Sequence, residues 1–231
     1  MLSTYRQTGV SLISLMIGLL ISMVALLGMM SLYGTVVKST VESTRDARIA
    51  GERSSALLVA TRELQGAGYG IDGATGSNDL LLRSGVTLAL DEASCEALHE
   101  DNCSLSGGNT LFWQQMIPTA DEPTVECSGL HAPHSADQGG LYLLQPQPQP
   151  CSALTESEWQ VRPLLIDNDD VDVSRLFSIT LVEHDTSSCQ ALGIAGAGQI
   201  SVRLSTTDRN GNSIISSSTC LLNFASGGTP P

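Results

Sequence analysis

The feature that most constrains this chain is where its charges stop. From Val10 to Val37 there is no Asp, Glu, Lys, Arg or His. A run of this length is enough for a membrane-spanning helix, which needs about 20 apolar residues. A short polar leader, Met1–Gly9, precedes it and carries one charged residue, Arg6. A secretory signal places its small-residue cleavage site after the apolar core. Here the junction of note, Gly9-Val10, comes before the core. Cleavage there would remove the leader and keep the apolar helix on the mature protein.

The order Gly9, Val10, Ser11, Leu12, Ile13, then Leu15 and Met16, resembles the signal of type IV prepilins and type II secretion pseudopilins. That pattern is Gly, an aromatic or apolar residue, Ser or Thr, Leu, Ile or Val, Glu, and a long apolar helix. The sequence departs from it at Ser14, where the family has Glu at the fifth mature position.

The apolar run does not end in a loop. Val37, Val41, Thr44, Ala47, Ala50, Ser54, Leu57, Thr61 and Leu64 follow at steps of three or four, the mark of one helix face. No proline lies between Val10 and Gln65. One helix over 10–66 is therefore expected, on the order of 80 Å long at 1.5 Å per residue. It would be membrane-embedded to about residue 33. The narrow stripe on its second half needs a partner surface, and the chain's own C-terminal part is the expected one. Glycines at Gly66-Ala67-Gly68-Tyr69-Gly70 close the helix. With Glu63-Leu64 before them, Ala67-Gly68-Tyr69-Gly70 resembles the stretch that ends the long helix in PilW-type minor pilins.

Beyond Gly70 the period changes to two. Phe177–Leu181 and Ile200–Ser205 alternate strictly and read as half-buried strands. Asp208-Arg209-Asn210-Gly211-Asn212 reads as a hairpin turn leading into Ser213–Cys220. Further strand candidates are Asp79–Leu82, Val86–Leu90, Thr110–Met116, Leu141–Leu144 and Trp159–Ile166. No second helix is expected. The expected fold is α+β: a long N-terminal helix packed on an antiparallel β-rich domain over 67–225, with a disordered tail over 226–231. Gln145–Pro150, with three prolines, reads as an extended surface segment.

Six cysteines, Cys95, Cys103, Cys127, Cys151, Cys189 and Cys220, all lie beyond the long helix, and no CxxC pair occurs. An even number confined to the part that would be exported reads as disulfides in an oxidising compartment rather than a zinc site. Six cysteines allow 15 connectivities, of which nearest-neighbour pairing is one. Net charge is −13 and would become −14 without Arg6. Broad nucleic-acid binding, which needs basic patches, is not expected.

Each candidate site has a plain competitor. Asp167, Asp169, Asp170 and Asp172 would offer carboxylates to calcium, but the EF-hand pattern is missing and the cluster reads as a solvated loop. His131-Ala132-Pro133-His134 reads as a surface loop without the further ligands that a metal needs. Gly193–Gly198 reads as a flexible loop, and Trp113 and Trp159 as core residues. Gly18 and Ser22 would permit close helix contact in a membrane, or reflect ordinary composition. No nucleophile elbow or phosphate-binding loop is present, so neither a cofactor nor catalysis is expected.

The resemblance implies cleavage and N-methylation by a prepilin peptidase, and storage in the inner membrane. Assembly with other minor pilins and the major pilin into a priming or tip complex would follow, serving motility, adhesion or DNA uptake. It also implies a meaning for Ser14. The family's glutamate neutralises the terminal amine of a neighbouring subunit, and serine cannot, which suits a subunit at the tip; the competitor is local drift. Rival readings are a type II secretion minor pseudopilin, a membrane-anchored periplasmic enzyme and an adhesin.

Overall fold

The computed structural model describes residues 11–98, 103–118, 122–134, 139–147, 151, 158–165, 177–183, 189, 198–207 and 213–225. The chain divides into two compact units, Met1–Gly51 and Glu52–Pro231. One helix, α1 (Leu12–Leu64), contributes to both. The boundary thus falls inside the helix, not at its end near residue 66: the last turns belong to the β unit.

The β unit holds two antiparallel sheets. The first has the order β1-β2-β3-β4-β5 and the second β6-β7-β8. Their strands are β1 (Leu80–Ala89), β2 (Ser104–Ile117), β3 (Thr124–Ala132), β4 (Leu141–Gln147), β5 (Val161–Leu165), β6 (Phe177–Glu183), β7 (Gly198–Thr207) and β8 (Ser213–Ala225). Neighbours in sequence are neighbours in space throughout, so each sheet is a meander.

Several expectations need correction. Asp79–Leu82 and Val86–Leu90 form one strand, with register shifts between Arg83 and Leu88. β3 was not among the candidates, because Ser128, Gly129 and His131 interrupt its alternation. Pairing of β3 with β2 over nine consecutive residues settles it as a strand regardless. Gln145–Gln147 is extended at the surface, as expected, but as the end of β4; Pro148–Pro150 lie outside the described residues. A second helix exists, α2 (Glu92–Leu98). Asp91 caps it: the Ser94 amide donates to Asp91 Oδ1 at 2.9 Å, the usual way to satisfy an orphan N–H. The Ser94 hydroxyl first, and then this amide, hold the Asp91 carboxyl below its ordinary range.

The first sheet is apolar on both faces, which is why β4 reads Leu141-Tyr142-Leu143-Leu144 without alternation. One face contributes Leu111, Trp113, Leu130, Leu141 and Leu143 to the main core, with Ile179, Val202 and Leu204 from the second sheet. The other face carries Leu105, Phe112, Tyr142 and Leu144, covered by Trp159, Cys151 and Cys95. Both tryptophans are core residues, as expected; Phe112 and Trp159 rings lie 5.8 Å apart.

Three disulfides close the unit: Cys95–Cys103, Cys127–Cys151 and Cys189–Cys220. This is the nearest-neighbour pairing. In the chain-entropy account a bridge spanning 24 residues, as Cys127–Cys151 does, contributes about 3 kcal/mol. The expected turn at Asp208–Asn212, the tail over 226–231, and most of Gly193–Gly198 lie outside the described residues.

Candidate functional site: the apolar helix and its junction with the sheets

Over Leu12–Val37, α1 is apolar all the way round. Large side chains at every angle are more than half exposed, among them Leu12, Leu15, Ile17, Leu20, Ile21, Val24 and Leu27. A helix that buries one stripe in a soluble core has a polar face opposite; this segment has none. It is long and apolar enough to cross a membrane. Several hydroxyls of α1 bond within the helix. Ser22 Oγ donates to the Gly18 carbonyl at 2.8 Å, and Thr40 and Thr44 each donate to the carbonyl four residues back at 2.8 Å. For Ser22, in the uncharged run, such a bond removes the penalty that an unpaired hydroxyl meets in an apolar setting. Ser14 is exposed, and the first turn contains no acidic residue. The positive end of the helix dipole therefore has no carboxylate of its own chain in that turn. Gly9 and Val10 lie outside the described residues.

In the second unit the helix meets its partner, but on a shorter surface than its sequence stripe. Ala56, Leu57, Ala60 and Leu64 are the buried residues. Val37, Val41, Thr44, Ala47, Ala50 and Ser54 are exposed, which overturns the expectation of burial along the whole stripe. Ala56 and Ala60 replace them as the closest-packed positions, since small side chains let a helix approach a sheet. Sequence spacing alone could not find them, because alanine is equally at home on an exposed helix face.

The turn after Leu64 stitches both sheets together. The Gly68 amide donates to Gln114 O at 2.8 Å, and the Met116 amide to Tyr69 O at 2.8 Å, so the turn runs along β2. From the second sheet, Asn223 Nδ2 on β8 donates to Ala67 O at 2.8 Å. Gly68 sits at φ 74°, and a Cβ there would lie 2.8 Å from Phe224. Only glycine meets both demands. Glu63 and Arg162 add an ion pair at 3.6 Å. The segment Ala67–Gly70, singled out in the sequence as a helix stop, is thus also the hinge pin of the β unit. Asn223 gave no signal in the sequence.

The histidine motif is not a surface loop. His131 lies on β3, fully buried, with Nδ1 2.7 Å from Thr110 Oγ1. Gly108 makes room for it, since a Cβ there would collide with the imidazole and the Ala132 carbonyl. Burial pushes the His131 pKa down to about 3, with His134 acting in the same direction. The ring is neutral at physiological pH and serves as a core residue. Among the described residues no group of three His, Cys, Asp or Glu side chains is placed to hold a metal. Asp167, Asp169, Asp170 and Asp172 lie outside the described residues, as do His99 and His184.

No protein-family model matches the chain, and neither a curated protein nor a solved structure matches it.

Proposed function

We infer that this chain is a PilW-like minor pilin of a type IV pilus, part of a priming or tip complex that initiates assembly. The observation that carries the reading is one unbroken helix with two surfaces. Its first part exposes apolar side chains all round, and its last turns form part of the core of a disulfide-bearing β unit. An anchor alone needs no such continuity. A filament subunit does, because its helix must leave lipid for a bundle of like helices while the attached domain travels with it.

The roles follow from the residues. Gly9-Val10 is the prepilin peptidase site, and the mature chain begins at Val10. The exposed helix sits in the inner membrane before assembly and among the helices of other minor pilins and the major pilin afterwards. The three disulfides support a β unit exposed to the periplasm or the outside of the cell, where thiols oxidise. Ser14 leaves the subunit without a carboxylate for a neighbour's amine. An unpaired amine in an apolar setting is costly, so the subunit is best placed where it has no predecessor, at the tip. The chain itself performs no chemistry in this reading and holds no cofactor.

The test is the mature N-terminus of protein made alongside a prepilin peptidase. It starts at Val10, and Gly9→Leu blocks the cut. A start at Met1, or near residue 30, overturns the reading. Deleting the gene then separates the machines: loss of surface pili at constant major pilin supports the pilus, whereas loss of protein secretion with normal pili assigns the chain to a type II secretion pseudopilus.

A further inference from the structure

α1 is one helix with two supports and a stretch between them. Over residues 12–37 it is uncharged and apolar. From Ala56 its small and apolar residues enter the core of the β unit. Residues 38–55 have neither support. Lys38, Glu42, Arg45, Asp46 and Arg48 exclude them from hydrocarbon. Every residue in the stretch is exposed except Ile49 and Arg53, and those two are only partly covered. Most helical stability in proteins comes from packing of a buried face, and a short helix without one is marginal in water even when rich in alanine.

This stretch is not rich in alanine. Of its 18 residues six are Ser or Thr, two more are the β-branched Val41 and Ile49, and one is Gly51, against two alanines. All of these but alanine are weak helix formers. The Thr40 and Thr44 hydroxyls donate at 2.8 Å to the carbonyls of Val36 and Thr40. Such bonds compete for the acceptors of the helix ladder and tend to bend it. Gly51 is the weakest point. A Cβ there would meet nothing within 4 Å, so no close packing calls for glycine, and the two compact units divide at this residue. Charges at helical spacing, such as Glu42 with Arg45 and Arg48 with Glu52, oppose opening, but each pair contributes little on an exposed face.

We propose that residues 38–55 are a hinge: they open and reclose as helix while the apolar run before them and the turns from Ala56 stay formed. The β unit tolerates this because no buried residue of α1 lies in the stretch and all three disulfides lie beyond it. The link between the two units then changes length as well as direction. Closed, 18 residues at 1.5 Å each span about 27 Å; fully open they reach about 60 Å. Opening of a single turn is enough to redirect the chain. A chain held by its apolar run can thereby present the β unit over a range of distances and directions. The hinge is a property of the helix alone and does not depend on which machine carries the chain.

Hydrogen exchange of the full-length chain in detergent micelles, read by mass spectrometry, tests this. Protection factors over 38–55 lie roughly a hundredfold below those over 56–64, and below those of the detergent-covered run before Lys38. Gly51→Ala raises protection over 38–55 about fivefold, the ratio that matches the difference in helix propensity between glycine and alanine, because the added methyl has open space. Gly28→Ala, also in open space but within the apolar run, leaves 38–55 unchanged. Mapping of the three disulfides, with unaltered protection of β2, β3 and β4, verifies the fold of each variant. Protection over 38–55 equal to that over 56–64 overturns the proposal. So does a Gly51→Ala chain in which it fails to rise, or a Gly28→Ala chain in which it rises as much.

Discussion

The two ends of α1 are built from similar residues and do opposite things with them. Leu20 is 63% exposed and Leu64 is fully buried, yet both are leucines in one continuous helix. Near Leu20 the apolar residues go all the way round, so no single protein face could cover them. Near Leu64 they narrow to Ala56, Leu57, Ala60 and Leu64, a stripe that two sheets do cover. What separates an exposed apolar segment from a core-facing one is thus the width of the apolar surface, and the small residues within it, more than the hydrophobicity of any one side chain.

The sharpest way to break that contrast is to truncate the same residue type at each end. Leu64→Ala should cost about 2–5 kcal/mol, the range for emptying a packed core site. Leu20→Ala should shift unfolding of the β unit by less than about 0.5 kcal/mol. Denaturant titration of the detergent-solubilised chain, followed by tryptophan fluorescence from Trp113 and Trp159, reads both. Equal effects would mean that the first part of the helix is also part of the folded core.

A second contrast lies within the β unit, between its buried polar group and its exposed ones. His131 binds a proton below about pH 6.5 when unfolded, but in the native state only near pH 3. Between those values the unfolded state holds more protons. Stability is therefore full above pH 6.5 and falls as pH drops toward 3. From pH 7 to pH 5 the loss due to this residue should be about 2 kcal/mol. The difference between wild type and His131→Gln across that range isolates it from the carboxylates. A difference that does not change with pH would mean that His131 is solvated.

The smallest effect is expected at the Glu63–Arg162 ion pair. Glu63 and Arg162 are 3.6 Å apart, with side chains 39% and 50% exposed, so Glu63→Gln should cost under about 1 kcal/mol and less still in high salt. A larger loss would show that the helix end is held by charge rather than by the packing around Leu64.

Much of this was legible along the chain, and the misses share a cause. The helix, its stop at Gly66–Gly70 and the strands with clean alternation could be read because each is a local pattern with a period. β3 could not: Ser128, Gly129 and His131 break its alternation, and it is a strand because β2 and β4 flank it on both sides. His131 looked like a loop residue beside Pro133, and only the space left by Gly108 and the Thr110 hydroxyl makes it a core residue. α2 carried a signal that was there to read, Asp91 followed by Ser94 at capping distance.

By itself, the sequence determined the uncharged helix, its continuation as one element, the change to β structure and an even set of cysteines beyond the apolar run. These follow from composition and spacing, which act over a few residues. Tertiary structure decided which cysteines pair, where the stripe on α1 begins to be buried, and that both faces of the first sheet are covered. Each of these depends on residues tens to more than a hundred positions apart, such as Asn223 and Ala67, whose meeting no local pattern encodes.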